Sequence, residues 1–351
     1  MARLRLLTKL SFATILFSTS MAHSQARQPV SIPDSMASMG DSITAGAIAN
    51  YKRQWGMNPL VSLALVTQIA SAFLSHSISP LEIRKLSWSG GVDPRHRMTS
   101  HAARLEFMSQ YRKLRHFNAA RSGDESADLA AQLEDIKNWA HEENRDQFPE
   151  YITLLIGPND ICADSVDEMV TPDIFELNIK DTVEEIQKTN PYTKVLISTV
   201  PNVEQLRKVA KDARLMGFGP FAKCEDFWRI AKTCPTLTTI SDPMDRARIS
   251  MRVQEFNAAI NHVVGFHHTN YGEDKIRAVN SIYNSDFSAD DLSLDCFHPN
   301  YDGQNLISEK TWNASWWGAD WRDFHAENYR KHIEAKQKRE QDRKRRARRR
   351  K

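Results

Sequence analysis

The chain has 351 residues, of which 41% are hydrophobic and 9% aromatic, and its formal net charge is +3. This hydrophobic content provides for a large buried core and excludes an intrinsically disordered chain. The small net charge hides an uneven distribution, because residues 331–351 contain twelve lysines and arginines but only three acidic residues. The rest of the chain is therefore acidic, and this basic tail is expected to be a solvated or fraying helical extension.

The N-terminus predicts a cleavable export signal. Three cations within the first nine residues precede an apolar stretch over residues 10–17, and a small-x-small cleavage site ends at Ala26. The apolar stretch is too short to span a bilayer comfortably, so an uncleaved anchor is the less favoured alternative. We expect a secreted or periplasmic protein. Its predicted parts are a signal peptide (1–26), one folded domain (27–330) and the basic tail (331–351).

Apolar runs alternate with helical patterns along the folded domain. The runs predict strands at residues 35–39, 116–120, 151–157, 194–199 and 275–283. Apolar spacing predicts helices over 125–141 and 173–188, and a proline after Asn58 and after Asp242 marks two further helix starts. This alternation favours βαβ units and a parallel sheet with helices on both faces. Residues 204–250 are expected to form a large insertion or lid.

Polar residues and glycines follow these predicted strands where each strand ends. Ser42 follows the first strand in the sequence Gly40-Asp41-Ser42, Gly123 follows the second, and Asn159 follows the third. Because the carboxyl ends of parallel strands meet at one edge of a sheet, we expect these residues to converge. A late segment carries Asp295 and His298, three residues apart.

These residue types are those that ester hydrolysis by a serine requires. A serine hydroxyl becomes a strong nucleophile when an imidazole removes its proton, and a carboxylate must orient that imidazole. A turn can bring Asp295 alongside His298. The backbone N–H groups of Ser42 and Gly123 and the amide of Asn159 can stabilise an oxyanion. A turn serine without catalytic function is the alternative for Ser42.

The four blocks Gly40-Asp41-Ser42, Gly123, Gly157-x-Asn159-Asp160 and Asp295-x-x-His298 together resemble, in order, the signature blocks of the SGNH hydrolases, also called GDSL esterases and lipases. The resemblance covers residues 35–315. The stretches RKLSWSGG, LLIGPNDIC and DCFHP are similar to the phospholipase B branch. The resemblance implies an α/β fold, a three-layer α/β/α sandwich of the flavodoxin-like kind around a mostly parallel sheet of about five strands.

The resemblance also implies residue roles. Ser42 is expected to be the nucleophile, His298 the base and Asp295 the residue that orients the base. Ser42, Gly123 and Asn159 are expected to form the oxyanion hole. We expect no metal and no cofactor, since there is no Cys-x-x-Cys pair and no His-Glu-x-x-His motif. The other two aspartates of the blocks, Asp41 and Asp160, are interpreted as braces of their loops.

Export makes disulfides the expected state of the four cysteines, Cys162, Cys224, Cys234 and Cys296, with free thiols as the alternative. Cys162 and Cys296 lie in two loops that are expected to meet at the site, so we predict that they pair with each other. Cys224 would then pair with Cys234, which is near it in sequence. Four tryptophans between residues 312 and 321 are interpreted as core packing of a terminal helix rather than as a lipid-facing surface.

The expected function is an exported hydrolase of phospholipid or lysophospholipid acyl esters that works through an acyl-enzyme. A carbohydrate deacetylase or a short-chain carboxylesterase is the alternative enzyme, and a surface-binding pseudoenzyme is the alternative without catalysis. The expected partners are the acyl-ester substrate and, through the basic tail, an anionic membrane or another polyanion. A merely solubilising tail is an equal alternative. We expect no specific nucleic acid partner, and the oligomeric state stays open.

Overall fold

The computed structural model describes residues 30–50, 81–93, 99–110, 112–142, 147–213, 223–271 and 274–321, together with residues 64, 67–69 and 71. The predicted signal peptide, the helix start at Asn58 and the basic tail lie outside the described residues. From Ser31 onward, the described residues belong to a single unit.

A five-stranded parallel sheet forms the centre of this unit, and its strands lie in the order β2-β1-β3-β4-β5. This is the flavodoxin-like order: β2 is added on one side of β1, and the chain then crosses to the other side of β1 to add β3, β4 and β5. All five predicted strands are confirmed: β1 is one residue longer than predicted, β2 begins one residue earlier, and the last four strands end before their predicted ends. They are β1 (Ser35–Gly40), β2 (Arg115–Asn118), β3 (Tyr151–Leu155), β4 (Lys194–Ser198) and β5 (Ile276–Val279).

Helices connect the strands, and both predicted helices are confirmed. The stretch predicted over 125–141 begins with a 3₁₀ turn at Ser126–Asp128, and the one predicted over 173–188 is a single helix. The α-helices whose bounds are both described are α1 (Ser42–Ala45), α2 (His101–Met108), α3 (Leu129–Glu142), α4 (Pro158–Ile161), α5 (Pro172–Thr189), α6 (Val203–Ala210), α7 (Cys224–Ala231), α8 (Pro235–Thr238), α9 (Pro243–Tyr271) and α10 (Tyr301–Ala314). Further 3₁₀ turns lie at Arg84–Leu86 and Ala289–Asp291.

The sheet is covered on both faces, as a three-layer fold requires. On one face α3, α5 and α9 pack against strand residues such as Ile152, and the rings of Phe175 and Phe256 stack at 4.0 Å. On the other face Tyr151 donates or accepts a hydrogen bond of 2.7 Å with His101 of α2. Three tryptophans surround this pair and are at most 4% exposed, so the prediction of core packing is confirmed for Trp312, Trp316 and Trp317. No helix among the described residues combines the length and the apolar character that a membrane crossing needs.

The four cysteines form two disulfides, but the predicted pairing is wrong. Cys162 is bonded to Cys234, and Cys224 is bonded to Cys296. Cys162 and Cys296 were paired because their loops were expected to meet, but each is bonded instead to a cysteine of the segment around α7, and nearness in sequence did not pair Cys224 with Cys234. The eight residues of α7 separate Cys224 from Cys234 by about 12 Å along the helix axis, so each cysteine meets a different partner.

The described part of residues 204–250 is therefore attached to the rest of the fold at two points rather than being a free lid. It consists of most of α6, the whole of α7 and α8, and the start of α9. Two disulfides and buried side chains of α7 fix it.

We expect peptide mapping under non-reducing conditions to recover two cross-linked pairs, one joining Cys162 to Cys234 and the other joining Cys224 to Cys296. A sample digested after reduction is the control, because the cross-linked masses must disappear from it. Recovery of a peptide joining Cys162 to Cys296 would show that this arrangement of α7 and α8 is incorrect.

Candidate active site

Ser42 lies at the junction between β1 and α1. The end of β1 contacts β3 closely at this junction. Gly40 has a φ of +141°, and a Cβ atom there would lie 2.1 Å from the carbonyl oxygen of Leu155. Only glycine therefore allows the end of β1 to approach β3 this closely. Asp41 then caps α1 by accepting a 2.8 Å hydrogen bond from the backbone N–H of Ile43. These constraints place Ser42 in the first turn of α1, where it is 6% exposed.

The loop that carries Asp295 and His298 is closed by its own backbone. Leu292 and Pro299 form an antiparallel bridge, and the N–H of Ser293 donates to the carbonyl of His298 over 2.8 Å. Cys296 adopts a left-handed conformation, with a φ of +60°, at the tip of the loop. This tight turn brings two residues three positions apart onto the same side.

The side chains of Asp295 and His298 are in direct contact. Nδ1 of the imidazole lies 2.5 Å from Oδ2 of the carboxylate. The other carboxylate oxygen, Oδ1, accepts hydrogen bonds of 3.1 Å from the backbone N–H groups of Phe297 and His298. Both carboxylate oxygens are thus occupied, and the carboxylate is fixed in one orientation. The carboxylate can hold a proton on Nδ1, which makes Nε2 the nitrogen that accepts a proton.

The imidazole also reaches Ser42, 256 positions away in the sequence. Nε2 of His298 lies 2.8 Å from Oγ of Ser42. The imidazole is 3% exposed and the Asp295 carboxylate is fully buried. The structure therefore brings together three of the residues singled out in the sequence, in a chain of hydrogen bonds that can draw a proton from the serine hydroxyl.

The three predicted oxyanion donors follow three different strands, and Asn159 lines the same cleft as Ser42. No described residue accepts a hydrogen bond from the backbone N–H of Ser42 or of Gly123. Gly123 has a φ of +92°. No atom lies within 4 Å of the position that a Cβ would take, so the space beside its Cα is open. The amide of Asn159 uses one N–H to bind the carbonyl oxygen of Asp124 at 2.9 Å. Its second N–H remains for a ligand.

The interpretation of Asp160 as a loop brace is confirmed. Its carboxylate accepts the backbone N–H of Ser126 at 3.0 Å and the Ser126 hydroxyl at 2.5 Å. It therefore ties the loop after β3, which carries Asn159, to the segment after β2, which carries Gly123. Burial raises the pKa of Asp160, and the hydrogen bonds from Ser126 partly offset this effect.

Asp41 braces its loop as predicted, and it also has an unusual environment. Its side chain is completely buried, and Oδ2 has no hydrogen-bond donor among the described residues. Burial raises the pKa of Asp41 to about 7. The Ile43 N–H and His298 act to lower that pKa, while the carboxylates of Asp160 and Asp124 raise it further.

An apolar cleft adjoins the serine and was not foreseen from the sequence. It encloses about 40 Å³ beside Ser42, Asn159 and His298. Most of its lining comes from loops and helices that follow β4 and β5. The apolar lining residues are Ile43, Pro158, Pro201, Val203, Leu206, Phe287, Phe297, Pro299 and Ile307.

The raised pKa of Asp41 predicts a pH-dependent stability. Between pH 4 and 7 the folded protein keeps a proton that the unfolded chain has lost, so its stability falls as the pH rises through this range. We expect the wild type to lose about 1–3 kcal/mol more of its free energy of unfolding between pH 5 and 8 than Asp41→Asn does. Urea unfolding at each pH measures this difference. Asp181→Asn, at an exposed carboxylate, is the control that should follow the wild type. Parallel curves for wild type and Asp41→Asn would contradict the assignment.

The model of the GDSL-like lipase/acylhydrolase family matches residues 36–311. No curated protein matches the chain. An extracellular lipase from Streptomyces rimosus is 13% identical, with 80% of this chain and 99% of that chain covered and a TM-score of 0.40.

Two further solved structures show the same degree of likeness. A phospholipase A1 from Streptomyces albidoflavus NA297 is 12% identical, covers 81% of this chain and 100% of its own, and has a TM-score of 0.38. A family 3 carbohydrate esterase from Clostridium thermocellum is 16% identical, covers 83% of this chain and 98% of its own, and has a TM-score of 0.38. Likeness at this level identifies no substrate.

The family match begins in the strand that leads to Ser42 and ends in the helix that follows His298. It therefore spans well over half of the chain and includes each of the converging loops. The chain belongs to the family of GDSL-like lipases and acylhydrolases.

Proposed function

We propose that the protein is an exported serine hydrolase of lipid acyl esters. The observation that carries this proposal is the buried hydrogen-bond chain from Oγ of Ser42 through the imidazole of His298 to the carboxylate of Asp295, with distances of 2.8 and 2.5 Å. The complete chain supports an enzyme rather than a surface-binding pseudoenzyme, because a binding function does not require a nucleophile and a base in contact.

The first half of the reaction forms an acyl-enzyme. Oγ of Ser42 bonds to the ester carbonyl carbon while Nε2 of His298 takes the hydroxyl proton. The carbonyl π electrons move to the oxygen, and the resulting oxyanion is stabilised by the N–H groups of Ser42 and Gly123 and by the Asn159 amide. When the carbonyl re-forms, the bond to the alcohol breaks, and His298 returns the proton to that alcohol.

The second half releases the acid. Nε2 of His298 takes a proton from a water molecule, and the water oxygen bonds to the acyl carbon. Collapse of this second intermediate breaks the bond to Oγ of Ser42, which recovers a proton from the imidazole. Throughout both halves Asp295 holds Nδ1 and stabilises the cationic imidazole.

The apolar cleft supports a hydrocarbon acyl chain as the group that is transferred. Its lining next to Ser42 is aliphatic, aromatic or proline, which favours burial of an acyl chain over a sugar. Phospholipids and lysophospholipids present such chains, and we propose them as substrates. The small enclosed volume, about 40 Å³, favours a second candidate, a short-chain carboxylesterase or a carbohydrate deacetylase.

Two disulfides support the proposed export, because such bonds persist in oxidising compartments. We further propose that the basic tail over residues 331–351 brings the enzyme to anionic lipid surfaces, since its density of positive charge matches that of known polybasic membrane contacts.

Labelling with a fluorophosphonate tests the nucleophile. We expect the wild type to be labelled at Ser42, and Ser42→Ala to lose both labelling and ester hydrolysis. Asn159→Ala should lower kcat about 10²–10³-fold, because one oxyanion donor is removed. The control is Ser281→Ala, at an exposed serine far along the chain, which should behave as the wild type. Labelling that persists in Ser42→Ala would refute the proposal.

A substrate series tests the acyl group. We expect kcat/KM to be higher for lysophospholipid and diacyl phospholipid than for p-nitrophenyl acetate. Leu206→Trp should fill part of the cleft and lower the activity on long acyl chains more than that on acetate. The matched control is Leu177→Trp, at a side chain that is 53% exposed. Activity on acetyl esters alone would reject the lipid assignment in favour of the second candidate.

Deletion of residues 331–351 tests the tail. We expect the shortened protein to bind phosphatidylglycerol vesicles less tightly than the full chain at low salt, and both to lose binding as salt rises. Vesicles of neutral phosphatidylcholine are the control. Equal binding of both proteins to the anionic vesicles would exclude this function of the tail.

A further inference from the structure

Helices α7 and α8 are attached to two of the four segments that carry the predicted site residues, the one with Asn159 and the one with Asp295 and His298. At one end, Cys224 of α7 is bonded to Cys296, which lies between Asp295 and His298 in the sequence. At the other end, Cys234 precedes α8 and is bonded to Cys162, which follows Asn159 by three residues. The segment 224–238 is therefore joined covalently to both loops.

Hydrogen bonds strengthen both attachments. The indole N–H of Trp228, in α7, donates to the backbone carbonyl oxygen of Asp295 over 3.0 Å. Trp228 is completely buried. At α8, the hydroxyl of Thr236 donates to the carbonyl oxygen of Ile161 at 2.6 Å.

Apolar side chains pack against the loop that carries Asp295 and His298. Leu292, Leu294 and Cys296 lie in one buried cluster with side chains of α7. The α7 members of this cluster are Cys224, Phe227, Trp228 and Ala231. The backbone that precedes His298 is therefore held from outside the loop by a disulfide, a hydrogen bond and packing.

The loop has a reason to need such support. The left-handed conformation of Cys296 is unfavourable in free energy for a residue other than glycine. Without contacts from outside, the loop would therefore favour another backbone conformation. Its relaxation would move Asp295 and His298, whose contacts to each other and to Ser42 define the hydrogen-bond chain. A displacement of about 1 Å in such a constellation can cost about 10²-fold in rate.

We infer that Trp228 is a positioning residue, which with the Cys224–Cys296 disulfide holds Asp295 and His298 in register with Ser42. Trp228 acts through the backbone of Asp295 and touches none of the reacting atoms. The inference rests on the proposed function, since it assigns a role in the same reaction.

The chain offers a matched control for this indole. Trp316 is 4% exposed, and its indole N–H donates to the backbone carbonyl oxygen of Asp274 at 2.7 Å. It thus makes the same kind of bond in the same kind of environment, but on a segment that carries no active-site residue. Substitution by phenylalanine removes one N–H from each site and keeps an aromatic ring.

The experiment compares Trp228→Phe with Trp316→Phe. We expect both variants to unfold at lower urea concentrations than the wild type. Trp228→Phe should lower kcat about 10-fold, with KM changed less than about two-fold, because only the positioning of the reacting groups is affected. The rate of fluorophosphonate labelling at Ser42 should fall by the same factor. Trp316→Phe should keep the wild-type kcat and labelling rate.

A second variant guards against loss of folding in the first. Cys224→Ala/Cys296→Ala removes the disulfide from the same loop and should lower kcat and the labelling rate, again with little change in KM. Wild-type kcat in a folded Trp228→Phe protein would overturn the inference. If Trp228→Phe does not fold, wild-type kcat in the double cysteine variant would overturn it instead.

The two proposals fail in different ways. Absence of labelling and hydrolysis in the wild type would refute the proposed function, and the inference with it. Normal labelling of the wild type together with equal kcat values for Trp228→Phe and Trp316→Phe would refute the inference alone.

Discussion

The site depends on two short hydrogen bonds at one buried imidazole, and the rest of the structure must hold three side chains in position for them. His298 must meet Asp295 at 2.5 Å and Ser42 at 2.8 Å, although Ser42 is 256 residues away. Both contacts are directional, and neither tolerates a large displacement. The sheet, the turns and the cross-links can all be understood by how they hold these three groups in place.

The parallel sheet positions most of the segments that carry these groups. Its strand order makes β1 the neighbour of both β2 and β3, so the segments that follow these three strands emerge side by side. Gly40 lets β1 approach Leu155 closely, and Asp160 links the segment after β3 to Ser126. The loop of Asp295 and His298 comes from outside this group of strands. It depends on its own tight turn and on the external contacts of α7.

The sequence predicted those features that local pattern determines. The strands were visible as apolar runs, and their order along the chain was enough to expect that Ser42 and Asn159 would share an edge of the sheet. The offset between Asp295 and His298 was informative because a turn can place both side chains on the same side, whereas a straight strand would place them on opposite faces. The bracing function of Asp41 and Asp160 followed from the tendency of aspartate to cap backbone N–H groups.

What the sequence could not provide was distance between segments that are remote in the chain. Cys224 and Cys234 are close in sequence, but Cys224 begins α7 and Cys234 follows its end. The two cysteines therefore meet different partners, and the predicted pairing was wrong. The cleft residues Val203 and Leu206 are ordinary aliphatic residues of a helix, and only the packing of α6 makes them a wall of the site. Trp228 gives no sign in the sequence that its indole N–H is directed at the backbone of Asp295.

We propose that the N–H donors of Ser42, Gly123 and Asn159 converge on one oxygen atom of a reacting ester. A crystal structure of the protein after reaction with a phosphonate inhibitor tests it most directly, since the phosphonyl group imitates the tetrahedral intermediate. We expect a covalent bond to Oγ of Ser42 and one phosphonyl oxygen within about 3.2 Å of the N–H groups of Ser42 and Gly123 and of the Asn159 amide nitrogen. An adduct on another residue, or a phosphonyl oxygen that contacts none of these donors, would contradict it.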